Sequence, residues 1–298
     1  MPTRLSRLAD GLMEACWLAA LIVAPLYFNV YSSRIFEPDK SSLVRFLACL
    51  LAGAWVVKAI DAGQQRSRGW LRRPLVAPVI GIIVVTLMSV AFSVVPRVSL
   101  AGSYQRLQGA YTTAAYLLVF AAIYAHLRRR EQVERLVTAV IFASLPVALY
   151  GILQKAGLDP VPWGGDTSKR VTGTLGNAIF IAAYLIMVAP LTLGRLSQTS
   201  NPKSQTANLK SEISNPQSAI LRAVLYGAVL AAQLAAIYFS SSRGPWLGLL
   251  AGLYFFSLLL AAHYRRRGWV IGVLGVSLVV GAFLITLNIP NGPLEPLR

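Results

Sequence analysis

Acidic side chains are scarce in this chain: 11 Asp and Glu stand against 28 Lys and Arg in 298 residues. Charged residues of both signs reach only 13%, hydrophobic ones 56%, and the mean hydropathy is +0.60. Soluble domains carry about 25% charge, so an ordinary soluble fold is excluded. Cysteine is almost missing, and Cys16 and Cys49 both fall inside apolar runs. They exclude a disulfide framework and a thiolate metal cluster, and each reads as a small buried hydrophobe. The chain has no Walker motif, dinucleotide fingerprint or zinc-ligand spacing, so no cofactor and no metal are implied.

What is present is apolar length. Nine runs are long enough to cross a hydrocarbon core at about 1.5 Å per helical residue, at 12–31, 42–60, 75–95, 110–127, 136–153, 175–194, 222–239, 246–263 and 268–288. None alternates with period two, which excludes a barrel. The expected fold is an all-α polytopic membrane bundle of about nine transmembrane helices, in a single domain spanning 1–298. Arg4 and Arg7 precede the first run, but its length and Glu14 within it mark an uncleaved anchor.

Basic residues gather in alternate loops: Lys58, Arg66, Arg68, Arg72 and Arg73; then Arg128, Arg129, Arg130 and Arg135; then Arg195, Lys203, Lys210 and Arg222; then Arg265, Arg266 and Arg267. With Arg4 and Arg7 they place the N-terminus in the cytoplasm. The net charge of +17 is thus an expression of topology, and no nucleic-acid partner is implied. The polar stretch 197–221, in which Asn-Pro-x-Ser occurs at Asn201 and Asn215, reads as a flexible cytoplasmic linker.

Cations that break this pattern carry the functional signal. Arg34, Lys40, Arg45, Arg97, Arg106, Lys155, Lys169, Arg170 and Arg243 all fall on the outer side. The second, fourth, sixth and eighth runs enter the membrane from that side, each with a cation at its first turn. A cation there opposes the helix dipole by about 0.3 to 1 kcal/mol. An anion between dipole and side chain reverses that sign, since backbone N–H groups and a guanidinium both suit phosphate oxygens. In SSSRGPW, Arg243 would meet such an anion, Ser240, Ser241 and Ser242 offer N-cap hydroxyls, and Gly244 lets a ligand approach the backbone. The bland reading of this stretch is an interfacial turn with a snorkelling arginine.

Two more outer segments have similar character. GSYQRLQGAY joins Arg106 to Tyr104, Gln105, Gln108 and Tyr111, a mixture suited to sugar hydroxyls and ring faces, or to an aromatic interface belt. SKRVTGTLGNAIF sets Lys169 and Arg170 before a glycine-rich turn and Asn177, either an anion cradle or simply the start of a span. A general base is wanting here: His126 and His263 lie at the opposite helix ends, and Asp159 and Asp166 have no partner at telling spacing, so both read as loop-solvating charges.

Taken in order, FEPDKSSLVRFLA, GSYQRLQGAYTTAAYLL, RVTGTLGNAIFIAAYL and FSSSRGPWLGLLAG resemble the O-antigen ligase and polymerase family of bacterial membrane glycosyltransferases. The resemblance implies an enzyme of the bacterial inner membrane that moves a glycan from a polyprenyl diphosphate carrier to an acceptor hydroxyl at the outer face. Its partners would be the lipid-linked glycan and membrane lipid. It implies Arg243 as a diphosphate ligand, with Arg106, Arg170, Ser242 and Gly244 beside it and Lys169, Asn177, Gln105, Tyr104 and Arg45 as secondary candidates. It further implies catalysis without a metal, arginines stabilising the leaving diphosphate. Family members continue into an outer loop that supplies another arginine and a histidine base, so the chain is expected to be an N-terminal portion, inactive in transfer without the rest and with no catalytic residue assignable within it. The competing expectations are a small-anion transporter of the bicarbonate-carrier kind and a membrane anchor. Against transport, no repeat and no ionisable residue at mid-span is legible.

Overall fold

Every one of the nine apolar runs coincides with a helix. The computed structural model describes residues 3–32, 34–61, 74–161, 166–199, 216–263 and 267–288. Among them the elements are α1 (Arg4–Leu26), α2 (Glu37–Asp61), α3 (Val76–Ala91), α4 (Pro96–Ala101), α5 (Ala110–His126), α6 (Arg130–Lys155), a 3-10 turn at Gly173–Leu175, α7 (Ala178–Thr199), α8 (Pro216–Phe239), α9 (Arg243–His263) and α10 (Arg267–Asn288), with no strand. Five of these, α1, α2, α6, α7 and α8, are long and apolar enough to cross a membrane. The fold is therefore an all-α membrane helix bundle. α3 and α5, at 16 and 17 residues, are apolar but shorter.

Local chemistry explains where the helices depart from the apolar runs. α1 starts eight residues before its run because Thr3 caps it, its Oγ1 accepting from Ser6 N at 3.0 Å. It stops at Leu26, and Asn29 N then bonds Ile35 O across a turn. Pro96 at the first position opens the short α4, which the hydropathy runs did not foresee. The predicted linker 197–221 is helical at both edges, in α7 to Thr199 and in α8 from Pro216. Its middle, with Asn201, Lys203, Lys210 and Asn215, lies outside the described residues, as do Arg66, Arg68, Arg72, Arg73, Arg265 and Arg266.

The chain divides into two compact units, Met1–Ser242 and Arg243–Arg298. In the first, α1 packs on α2 and α6, α2 on α5, and α8 on α6 and α7. Its core clusters are Met13, Cys16, Trp17, Leu51, Ala54 and Ala122, and separately Ile141, Val188 and Val229. Cys16 is buried as expected, whereas Cys49 is exposed, 3.8 Å from Tyr111 Oη. α3 has no buried residue: Val85, Leu87 and Met88 are all more than half exposed. Such a helix is stable only where its surroundings are apolar too. In the second unit, α9 and α10 pack together.

Ion pairs of the first unit collect at its two ends. At the end bearing the α1 N-terminus, Thr3 donates to Asp61, Lys58 pairs with Asp10 and lies 3.2 Å from His126 Nδ1, and Arg195 pairs with Glu134. There too Arg135 Nη2 meets Glu14 Oε1 at 2.6 Å. Gln132 Oε1 caps α6 by accepting from Arg128 N and Arg129 N. Of these, Lys58, Arg128, Arg129, Arg135 and Arg195 are residues the charge pattern assigned to one side. Arg45, Arg106, Lys155 and Arg170, which it assigned to the other side, lie at the distal end, opposite on the first unit.

Candidate functional site

The distal end is built around the C-terminus of α8. Ser241 takes a left-handed backbone, φ 49°. Ser240 Oγ donates to Ile237 O at 2.7 Å and Ser242 Oγ to Ser240 O at 3.2 Å. Both hydroxyls thus serve the end of α8, where the sequence suggested caps for the following helix. Arg170 closes this end: Nε donates to Ser240 O at 3.2 Å and Nη2 to Ser242 Oγ at 3.1 Å, while Val171 N reaches Phe239 O at 3.4 Å. A guanidinium at the carbonyl end of a helix is favourably placed in its dipole. With Nε and Nη2 engaged, the Nη1 edge of this exposed arginine is directed away from those contacts, and a guanidinium has five N–H donors in all. Ser242, 2% exposed, acts by positioning Arg170.

The glycine-rich turn after Arg170 is held by a residue that sequence reasoning missed. Gln154, fully buried on α6, accepts from Thr172 N at 3.0 Å and Gly173 N at 2.8 Å through Oε1. Its Nε2 donates to Asp159 Oδ2 at 2.9 Å, and Asp159 Oδ1 accepts from Tyr150 Oη and Val161 N. Asp159 is therefore a structural acceptor, where it read as a solvated loop charge. Gly176 has φ 71°, and a Cβ there would fall 2.2 Å from the Phe36 ring, so this glycine is needed both for its conformation and for packing. Asn177 caps α7, Oδ1 accepting from Ile179 N at 2.8 Å. Lys169, its side chain 83% exposed, pairs with Asp166 at 3.4 Å, and Ser168 donates to the same carboxylate. These hydrogen bonds and Lys169 hold the Asp166 carboxyl below its usual range, the Ser168 hydroxyl first.

Across α2 lies the loop between α4 and α5. A Cβ on Gly109 would stand 2.3 Å from Gly102 N, so the two glycines bring the loop ends into backbone contact. Arg45 locks them: Nε donates to Thr112 Oγ1 at 2.9 Å, and Nη2 to Ala101 O at 2.8 Å and Leu107 O at 2.6 Å. Its guanidinium also lies over the Tyr111 ring. Arg45 is thus occupied in folding the loop. Arg106 stands 3.4 Å from Glu37 Oε2 with its side chain 65% exposed. Tyr104 is exposed with Arg34 stacked on its ring, and Gln105 is exposed beside it. Lys40 ties the two halves, donating to Thr174 O at 2.8 Å and Pro25 O at 3.5 Å.

Of the candidates, the structure joins Arg170 directly to Ser242, and α2 links the Arg106 loop to the Thr174 turn. Arg243 and Gly244 open α9 in the second unit. Arg243 is exposed, and a Cβ on Gly244 would meet nothing within 4 Å. That unit holds an open cleft of about 450 Å³ lined by Tyr254, Trp269, Gly272 and Val276 among others, which none of the candidates lines. Among the described residues no three His, Cys, Asp or Glu side chains cluster to hold a metal. His126, from the proximal end, stacks edge-on with Trp55. Chemically, the distal end offers cations fixed by neutral oxygens: Arg170 on Ser240 and Ser242, Lys155 on Ser168 O, and Lys40 on Thr174 and Pro25. Such groups attract anions. No protein-family model, no curated protein and no solved structure matches the chain.

Proposed function

We propose that this chain is a membrane glycosyltransferase of the O-antigen ligase and polymerase type, taking a glycan from a polyprenyl diphosphate at the outer face of a bacterial inner membrane. In this reading the nine apolar helices all span, the N-terminus is cytoplasmic and the distal end is periplasmic. The segregation of charged contacts to two ends supports that topology, because α1, α2, α5, α6 and α7 each contribute to the end their charges predict.

The observation that carries the reading is Arg170. Its two hydrogen bonds go to neutral oxygens at the end of α8, so its charge is uncompensated by them. A diphosphate is the ligand that charge suits, and guanidinium groups hold phosphate oxygens in pairs. In the proposed reaction an acceptor hydroxyl attacks the anomeric carbon, the bond to the carrier diphosphate breaks, and the hydroxyl proton passes to water. Arg170 stabilises the negative charge that develops on the leaving diphosphate, where fixed cations contribute most. Arg106 and Lys169, both largely exposed, draw the carrier headgroup towards the membrane edge.

The test is reconstitution of the protein, together with the outer loop that the resemblance implies, in liposomes with an undecaprenyl-diphosphate-linked oligosaccharide and an acceptor sugar lipid. Transfer that falls at least tenfold in Arg170→Gln supports the reading. Unprocessed donor, with uptake of bicarbonate into the same vesicles, would replace it with anion transport.

A further inference from the structure

Midway along α6, α7 and α8, three polar side chains meet in an otherwise apolar junction. Gln233 of α8, Ser144 of α6 and Thr192 of α7 are each fully buried. Gln233 Nε2 donates to Ser144 Oγ at 2.7 Å and to Thr192 Oγ1 at 3.0 Å. The two hydroxyl hydrogens are already given to their own helices, Ser144 to Ile141 O at 2.6 Å and Thr192 to Val188 O at 3.3 Å.

That count of donors fixes the amide. Both hydroxyls must accept, so the side facing them is Nε2 and its two hydrogens are used. Gln233 Oε1 is then left, buried, with no donor among the described residues. Turning the amide over would not help: it would strand the NH2 group and strip the helix carbonyls of their hydroxyl partners. An unmet acceptor in a low-dielectric interior costs about 1 to 3 kcal/mol, and buried acceptors of this kind are met by ordered water.

We infer that this junction is a binding site for a single water molecule, donating to Gln233 Oε1 and completing its second bond on a remaining lone pair of Ser144 or Thr192. The site stands apart from the proposed phosphate site and does not depend on it. Its consequence is mechanical: Gln233 lies two turns before Ser240 on the same helix, so the hydrated junction fixes the height at which α8 delivers Ser240 and Ser242 to Arg170.

Two measurements decide it, both on the whole chain in lipid nanodiscs. The first is a cryo-EM map that resolves waters elsewhere in the protein. Density within hydrogen-bonding distance of Gln233 Oε1, lost in Gln233→Leu, is the expected result, and a clean map without that density overturns the inference. The second is thermal unfolding. In Gln233→Leu a hydrated network loses the two amide donations and both water bonds, so its midpoint falls by several degrees. A dry junction loses the amide donations but is relieved of its unmet acceptor, so an unchanged or raised midpoint overturns the inference as well.

Discussion

Gln154→Leu is the substitution whose cost follows most directly from the coordinates. Leucine fills much of the same volume but offers no acceptor. Thr172 N and Gly173 N, both now bonded to Oε1, would be left without one, and Asp159 Oδ2 would lose a donor. Gly173 is buried, so water cannot easily replace the lost bond. Each orphaned group costs about 1 to 3 kcal/mol, and leucine's better apolar packing offsets part of the sum, which leaves about 3 kcal/mol. For a chain of this size that lowers the unfolding midpoint by about 6 to 12 °C. The assay is thermal unfolding in detergent, followed by intrinsic fluorescence. Gln154→Glu refines it: a protonated carboxyl still accepts both N–H groups, but an ionised one faces Asp159, so this variant should weaken as pH rises. A Leu variant melting within about 2 °C of the parent would refute the reasoning, since it would mean the turn is held by something other than this amide.

Other consequences are simpler. Gly109→Ala puts a Cβ 2.3 Å from Gly102 N, against backbone that cannot yield, so the variant should lose about 1 to 3 kcal/mol of stability in the same melting assay, and a neutral result would contradict the tight loop. The Asp166 carboxyl, followed by carbon-detected NMR, should titrate below its ordinary 3.8, and Ser168→Ala should raise its value towards it. Because the folded value is lowered, the turn's contribution is complete above the ordinary value and is lost as pH falls through the folded one. Unchanged titration in Ser168→Ala would remove the hydroxyl as its cause.

Long-range features of the fold were legible because hydropathy acts over whole helices. All nine runs found a helix, and the charge alternation correctly grouped the ends of the first unit. Features that depend on a few residues meeting in space were not. α4 is six residues long and carries no periodic signal. Arg45 looks from sequence like an anion-facing cation at a helix mouth, and only the approach of Gly102 to Gly109 reveals the carbonyls it binds. Ser240 and Ser242 look like caps for α9 and instead close the end of α8. Gln154 and Gln233 did leave a trace, since an amide within an apolar span must find partners. Neither carries a charge, and charge is the mid-span signal that stands out in a sequence this apolar.

The central claim is that the Arg170 guanidinium at the distal end holds a diphosphate, and lipid binding tests it most directly. Native mass spectrometry of the protein can compare retention of undecaprenyl diphosphate with that of undecaprenol, which has the same chain and no charge. The expected result is a preference of at least tenfold for the diphosphate, reduced in Arg170→Gln and in Arg170→Lys, where a point charge replaces a bidentate fork. Equal retention of the two lipids, or a preference untouched by either substitution, would contradict it.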